Sequence, residues 1–375
     1  MLALSLVGFG LWLYTLAGYP LLMRTWARVR GPRPAPPDAP SAPALGPALT
    51  VAIPSHAGAP WLGAKLASVL AQRLDGDAAF EVLVYLDGPD PGARALVTAA
   101  AATDPRVRLI EGPARAGKPT ALNALAAAAR GALLVFTDVR PTLAPGALAA
   151  LARALADPKI GVASGALALT GPDGAGAYWR YEQRLRAAES ACRGMVGATG
   201  PLFALRRADF RPLPADVVLD DVWLPMALTL AGRRTRHVPE ATALDAAAPD
   251  GRELARKVRT LAGNAQLFLR LPRLLSPWAN PLWFETVSHK LLRLALPLSL
   301  AAWLAPAPAL AAAPPSPTVA FAVASLATAG AAAALAALGP RLGRPGRLAR
   351  TALLLHLAAL LGLWRGLRGR QPVRW

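Results

Sequence analysis

Residues 133–142 read LLVFTDVRPT. An apolar run of strand length ends in Asp138, and Val139 and Arg140 follow it. Such a run bounded by turn residues fits a buried strand. An acid at its end can accept a hydrogen bond from a base or a ribose, or hold a hard cation through oxygen. An acid there is also a common way to start a turn. Comparable runs occur at 49–54 (LTVAIP), 80–86 (FEVLVYL), 107–111 (VRLIE) and 160–167 (IGVASGAL), and helical patterns occupy 60–72, 91–103, 119–130 and 144–156. Strand alternating with helix predicts an α/β domain whose mostly parallel sheet is covered on both faces. Ligands of such a sheet bind beyond the carboxyl ends of its strands. Asp138 has that position, and so does Asp87, which follows EVLVYL.

The remainder of the chain has a different character. Only 17% of the 375 residues are charged, while 54% are hydrophobic, and the mean hydropathy is +0.36. A soluble domain carries about 25% charge, so part of this chain is expected in a bilayer. The net charge of +19, from 41 Lys and Arg against 22 Asp and Glu, points to a membrane surface or an anionic substrate. The arginines cluster beside hydrophobic segments, which argues against a nucleic-acid partner. Cys192 is the single cysteine, so an intrachain disulfide is excluded.

The apolar segment 1–23 matches the roughly 20 residues that cross a bilayer. Arg24, Arg28 and Arg30 come after it rather than before. That order fits an uncleaved anchor with its C-terminal flank in the cytoplasm, not a cleaved signal. Residues 24–48 form a basic, Pro-rich linker, 49–250 the α/β domain and 251–285 an amphipathic interfacial segment. Further spans are expected at 286–305 and 318–338. The uncharged loop between them suits the outer side, and Arg341, Arg344, Arg347 and Arg350 suit the inner. Residues 351–367 either cross as a short span or lie along the surface, and 368–375 form a basic tail. Together these features predict a multi-pass membrane protein with the α/β domain in the cytoplasm.

Between Asp87 and Asp138 lies RAGKPTALNAL (115–125), where Arg115 and Lys118 flank a glycine ahead of a helix. Cations near a helix N-terminus suit a diphosphate, and a solvated basic turn has the same look. The Walker spacing is absent. Downstream, VLDDVWLP (218–225) carries Asp220 and Asp221. Adjacent side chains do not share a face, so the two acids have different tasks, one of them a general base on a substrate hydroxyl. A helix N-cap followed by a first-turn acid is the structural alternative. Glycines in VGATGPLFALRR (196–207), Gly200 among them, let a substrate approach the backbone. YWRYEQRLRAAE (178–189) interleaves aromatic and acidic residues with arginines and reads as an amphipathic helix at a membrane surface, as part of a substrate cleft with Tyr178, Trp179, Tyr181 and Glu182 as candidate contacts, or as structural packing.

In this order, these stretches resemble a bacterial membrane-anchored glycosyltransferase of family 2 with the GT-A fold, over nearly the whole chain. VAIPSHAGAPWLGAKLASVLAQ resembles the family's Pro-x-x-Asn-Glu loop and helix, with Pro54 at its head. EVLVYLDGPDPGARAL resembles its Asp-Gly-Ser segment, RAGKPTALNALAAAARGALLVFTDVR its Gly-Lys-x3-Leu-Asn helix and Asp-x-Asp strand, and LDDVWLP its base motif. The resemblance implies an inverting transfer from a nucleotide sugar, UDP-linked in the usual case, to a lipid-linked or polysaccharide acceptor. It implies Asp221 as base beside Asp220, donor contacts at Pro54, Asp87, Lys118, Asn123, Asp138 and Arg140, and acceptor contacts at Gly200, Tyr181 and Glu182. It also implies a divalent cation, Mg2+ or Mn2+, at Asp138.

Three departures bear on these expectations. Ala57 and Gly58 replace Asn-Glu. Arg140 replaces the second acid of Asp-x-Asp, so either Asp138 alone holds the cation together with the diphosphate oxygens, or Arg140 itself neutralises the diphosphate, or Arg140 faces solvent. The Gln-x-x-Arg-Trp motif of processive members is absent after Asp221. It recurs only as the last five residues, QPVRW, where a basic interfacial tail is the expected reading. The missing motif favours short or single-sugar transfer. An inactive, nucleotide-sugar-binding scaffold is the competing reading, and a transporter is disfavoured because the hydrophobic segments are few.

Overall fold

The computed structural model describes residues 1–31, 48–170, 177–246 and 253–373; the Pro-rich stretch 32–47 lies outside them. The chain forms two compact units. One comprises Met23–Ala248, Arg273–Trp283 and Pro372–Trp375, and the other Met1–Leu22, Pro249–Pro272 and Phe284–Gln371.

Among the described residues the first unit is built on eight strands: β1 (Leu49–Ser55), β2 (Phe80–Asp87), β3 (Val107–Gly112), β4 (Leu133–Thr137), β5 (Thr142–Leu143), β6 (Ile160–Thr170), β7 (Leu202–Arg206) and β8 (Arg234–Ala246). They form one sheet in the order β3-β2-β1-β4-β7-β6-β8-β5. Alternate residues of each strand feed two cores, as the period of two requires. On one face Val51, Ile53, Val82, Val84 and Val135 meet Leu62, Leu66 and Val69 of the helix Ala59–Leu70 and Leu148 and Leu151 of the helix Ala147–Leu155. On the other, Ala52, Leu83, Leu134 and Phe136 meet Leu122 and Leu125 of the helix Lys118–Ala128 and Leu224 and Leu228 of the helix Asp220–Leu230. Each fully buried leucine contributes about 1.5–3 kcal/mol, so both helices are firmly seated on the same face of the sheet.

β1, β2, β3 and β4 are parallel neighbours, as the sequence predicts. The sheet as a whole is mixed. β7 runs antiparallel between β4 and β6, and β5 runs antiparallel to β8. Neither β7 nor β8 has a clear sequence signal. β7 is only five residues long, and β8 is polar, contains Pro239 and pairs with β6 through register shifts.

The N-terminal ends of β1, β2 and β3 are joined by Glu81. Its carboxylate accepts from Thr50 Oγ1 (2.7 Å), Arg130 N (2.6 Å) and Arg108 Nη1 (2.9 Å). Burial would raise its pKa, but these three bonds outweigh burial and hold it below the ordinary carboxylate value.

The second unit is helical. Leu2–Arg30 (its last residues within the first unit), Pro317–Leu338 and Gly343–Leu367 are long and apolar enough to cross a membrane; no membrane is present in the structure. A continuous span over 286–305 is expected from the sequence. Instead, Trp283–Leu294 and Leu296–Ala311 are two pieces bent by 64°. Pro297, near the start of the second piece, has no N–H to carry the helical ladder across the break. The segment 351–367 belongs to the 25-residue helix Gly343–Leu367, because Arg344, Arg347 and Arg350 continue the helix rather than form a loop. Within this unit, small and polar residues make the close contacts. Ser5 Oγ donates to Trp303 O (2.6 Å), Trp12 Nε1 to His356 Nε2 (2.9 Å) and Trp303 Nε1 to Ser325 Oγ (2.9 Å). A Cβ added at Gly8 would meet Trp303 N at 2.3 Å. This is how helices associate where apolar burial alone gives no driving force.

Glu81→Gln is expected to destabilise the protein by roughly 1–3 kcal/mol, the usual cost of weakening bonds to a buried charged acceptor. Because the folded pKa lies below the unfolded one, the contribution of Glu81 is present above the unfolded value and fades as pH falls through the folded value. Thermal unfolding at neutral and acid pH checks both: the difference between wild type and variant should shrink in acid.

Candidate active site

Of the residues expected to act, Asp87, Lys118, Asp138 and Asp220 come together at the carboxyl edge of the sheet. Asp87, at the end of β2, is buried. Its two oxygens accept from the backbone of Ala116 (2.7 Å) and Gly117 (2.9 Å). Asp87 therefore shapes the loop that opens the helix Lys118–Ala128. Gly117 is needed there, since its φ of +97° lies where a side chain is disfavoured. Lys118, the first residue of the helix, reaches two acids. Its Nζ lies 2.8 Å from Asp138 Oδ1, just beyond β4, and 3.2 Å from Asp220 Oδ2, at the start of the helix Asp220–Leu230. Burial alone would lower the pKa of Lys118. The carboxylates of Asp138 and Asp220 more than offset burial and hold it above the ordinary lysine value, so Lys118 stays an ammonium.

The adjacent acids have different surroundings, as their spacing requires. Asp220 is buried against Lys118. Asp221 is only partly buried, and its Oδ2 lies 2.9 Å from where a Cβ on Gly200 would sit. Ala198 N donates to Asp221 O (2.7 Å), which fixes the loop 198–200 against it. The same loop is tied to β4, since Pro201 O accepts from Thr137 Oγ1 (2.8 Å) and from Asp138 N (3.3 Å). Among the acceptor candidates, Gly200 thus lies beside Asp221. Tyr181 and Glu182 lie on the helix Ala177–Cys192, partly buried and buried respectively. Of the donor candidates, Pro54 is buried within β1, in register with Tyr85. Asn123 is a tie: its amide donates to Leu213 O and accepts from Leu213 N, both at 2.8 Å.

The departures in sequence have local causes. Ala57 has a φ of +50°, a conformation that suits glycine or asparagine. Gly58 has no room for a side chain, because a Cβ would lie 2.1 Å from Ser55 Oγ. Its N–H donates to Asp90 Oδ2 (3.1 Å), the acid that also caps the helix Pro91–Thr103 through Ala93 N. Arg140 does not simply face solvent. Its Nε donates to Asp245 Oδ2 at 2.9 Å and its Nη2 to the same oxygen. The register of β5 on β8, with Thr142 opposite Leu244, brings the two together.

Sequence reasoning misses three contributors. Lys65, fully buried on the helix Ala59–Leu70, donates to Thr137 Oγ1 (2.6 Å) and Pro141 O (2.8 Å), pinning the turn that carries Asp138 and Arg140. Burial pushes its pKa down to about 7, against the opposing pull of Asp138 and Asp245. Asp245 is the second. Val373 is the third, since its Cγ1 lies 3.7 Å from where a Cβ on Gly117 would be. The C-terminal pattern QPVRW is the signal for it, despite its distance along the chain.

Residues 50–213, which hold Asp87, Lys118 and Asp138, match the family described as glycosyl transferase family 2. This segment is a glycosyl transferase family 2 domain. An N-acetylglucosaminyltransferase of Rhizobium meliloti (strain 1021) is 30% identical over 287 residues, covering 69% of this chain and 65% of that protein. One from Rhizobium sp. (strain N33) is 30% identical over 288 residues, covering 70% and 62%. The chain thus spans a little under two thirds of the length of these relatives. Among solved structures, the mannosyltransferase PcManGT from Pyrobaculum calidifontis, in complex with GDP-Man and Mn2+, is 27% identical with a TM-score of 0.72, covering 97% of this chain and 99% of that one. The GT-A fold of the family 2 domain agrees with the mixed, helix-covered sheet.

Mn2+ accompanies the donor in that mannosyltransferase. Here, among the described residues, no three His, Cys, Asp or Glu side chains converge. Asp138 is the one acid at the Asp-x-Asp position, its Oδ1 is taken by Lys118, and a guanidinium stands at the second place. A hard divalent cation takes several oxygen ligands, so with only the second oxygen of Asp138 left the protein groups alone fit one poorly, and the donor diphosphate and water would have to supply the rest.

Lys65→Met tests the buried cation. Between pH 7 and the ordinary lysine value of 10.5 the unfolded chain holds a proton that the folded chain lacks. Stability should therefore rise with pH across that window and be indifferent to Lys65 titration below it. Thermal unfolding at pH 7 and pH 9 should show the rise in wild type and a smaller one in Lys65→Met. Equal slopes would contradict the assignment.

Proposed function

We propose that the protein is a glycosyltransferase that moves a sugar from a nucleotide-sugar donor to an acceptor hydroxyl by direct displacement, with Asp221 as the base. The observation that carries this reading is the bridge from Lys118 to Asp138 and Asp220. One ammonium, at the N-terminus of a helix, links the end of β4 to the acid pair. The first turn of that helix and Lys118 are suited to the donor diphosphate. Asp221, one residue beyond the buried Asp220, opens onto Gly200, where an acceptor can approach the backbone.

In this reading the acceptor hydroxyl passes its proton to the Asp221 carboxylate as its oxygen bonds to the anomeric carbon. The bond from that carbon to the diphosphate oxygen breaks, and the nucleoside diphosphate leaves with the electron pair. Attack from the face opposite the leaving group inverts the configuration. Asp87 acts indirectly, by fixing the backbone at 116–117, and Asp220 by holding Lys118.

The rhizobial relatives make UDP-N-acetylglucosamine the donor to test first, and the mannosyltransferase adds GDP-mannose. A lipid-linked or glycan acceptor accords with the apolar helices. The arginines that follow the first span and precede 351–367 favour a cytoplasmic site at the inner membrane.

Asp221→Asn should lower nucleotide release from a nucleotide sugar by about 10²–10⁴-fold, the contribution of a positioned general base, while nucleotide binding persists. The detergent-purified protein supplied with a membrane lipid extract and a panel of nucleotide sugars provides the assay. Undiminished release by the variant would remove Asp221 from the mechanism.

A further inference from the structure

We propose that in this protein the donor diphosphate is neutralised by fixed side-chain cations, Lys118 and Arg140, in place of a divalent metal ion. The inference rests on the glycosyltransferase reading above and concerns how its leaving group is stabilised.

The first ground is charge. Exchanging the second acid of Asp-x-Asp for Arg140 changes the local charge by two units, the charge of one divalent cation. The second ground is geometry. The buried carboxylate of Asp245 engages Nε and Nη2 of Arg140 through a single oxygen. Among the described residues Nη1 has no hydrogen-bond partner, and the side chain is 42% exposed. The guanidinium is thus held in one orientation with donors left over, and its fork suits two oxygens of a phosphate. Lys118, only 13% exposed, is held by Asp138 and Asp220 in the same way. Both cations are preorganised, the condition under which fixed charge stabilises a leaving group most effectively.

The third ground is the turn between them. Lys65 holds it from beneath through Thr137 and Pro141, so Asp138 and Arg140 are presented on a pinned backbone. A divalent ion on the second oxygen of Asp138 would sit beside the Lys118 ammonium and near the Arg140 guanidinium, with repulsion from each. In the cation-only arrangement nothing further is required. As the sugar–oxygen bond breaks, the diphosphate gains one negative charge, which the ammonium and guanidinium N–H groups receive. The acceptor proton is on Asp221, and no co-reactant enters. Asp138 and Asp245 then serve as positioning residues, each orienting one cation.

Nucleoside diphosphate affinity of the full-length protein in detergent, measured calorimetrically with UDP and GDP in excess EDTA and again with Mn2+, tests this directly. Wild type should bind one of them with affinities that agree within about twofold under the two conditions. Arg140→Asp rebuilds Asp-x-Asp and should make binding Mn2+-dependent by about tenfold or more. Asp245→Asn, which keeps both cations but frees the guanidinium, should weaken metal-free binding while leaving it metal-independent. Nucleotide release from the matching sugar donor by wild type should likewise persist in EDTA. Wild-type binding or release that needs Mn2+ by tenfold or more would overturn the inference and leave the glycosyltransferase reading standing. If neither nucleotide binds under either condition, the donor-site reading falls, and this inference with it.

Discussion

The ammonium of Lys118, shared between Asp138 and Asp220, is the interaction on which the rest of the site depends. Three elements distant in sequence end at this charge: the helix Lys118–Ala128, the strand β4 and the helix Asp220–Leu230. Each is anchored elsewhere by burial, the two helices on the same face of the sheet through Leu122, Leu125, Leu224 and Leu228. The bridge therefore joins elements already placed by packing and does not have to pull them together. Removing either carboxylate would leave a nearly buried ammonium with half its compensation, and removing the lysine would set two carboxylates side by side, both costly in a poorly solvated site. The backbone that brings Lys118 into position is in turn fixed by Asp87 through two amides.

Around this bridge the site shows a consistent substitution of one device for another. Where the family carries Asn-Glu after its first strand, this chain has Ala57 and Gly58, and Asp90 from the next loop holds the turn through Gly58 N. Where the family carries a second acid after β4, this chain has Arg140, and Asp245 from the far side of the sheet supplies the carboxylate. In each case an acid returns from a different element, as partner to the protein itself. Of these exchanges, the one at position 140 reverses the charge there, from an acid to a guanidinium paired with Asp245.

Much of this architecture is legible in the sequence, for reasons that differ by element. The runs LTVAIP, FEVLVYL and LVFT are buried on both faces and read as strands because nothing in them must face water. Asp87, Asp138 and the Asp220–Asp221 pair stand out because acids interrupt apolar runs. What is hidden depends on long-range pairing. Asp245 lies 105 residues from Arg140, in a polar strand whose bulged register masks its alternation. Lys65 sits in LGAKLASVL, where an isolated lysine on an apolar helix reads as a surface residue, and only the fold shows its Nζ beneath the 137–141 turn. The kink at Ala295 and the continuous helix through Arg344, Arg347 and Arg350 are hidden too, because an apolar run of spanning length says nothing about where its ladder breaks.

A double-mutant cycle between Asp138→Asn and Asp220→Asn, read as kcat/KM for nucleotide release in wild type and in a Lys118→Met background, tests the central claim most directly. If Lys118 couples the donor and base halves of the site, the two substitutions should be non-additive in wild type, with an interaction of about 0.5–3 kcal/mol, and additive once Lys118 is gone. Additivity in both backgrounds would show that the two acids act independently, and would contradict the account of Lys118 as the charge on which the site is assembled.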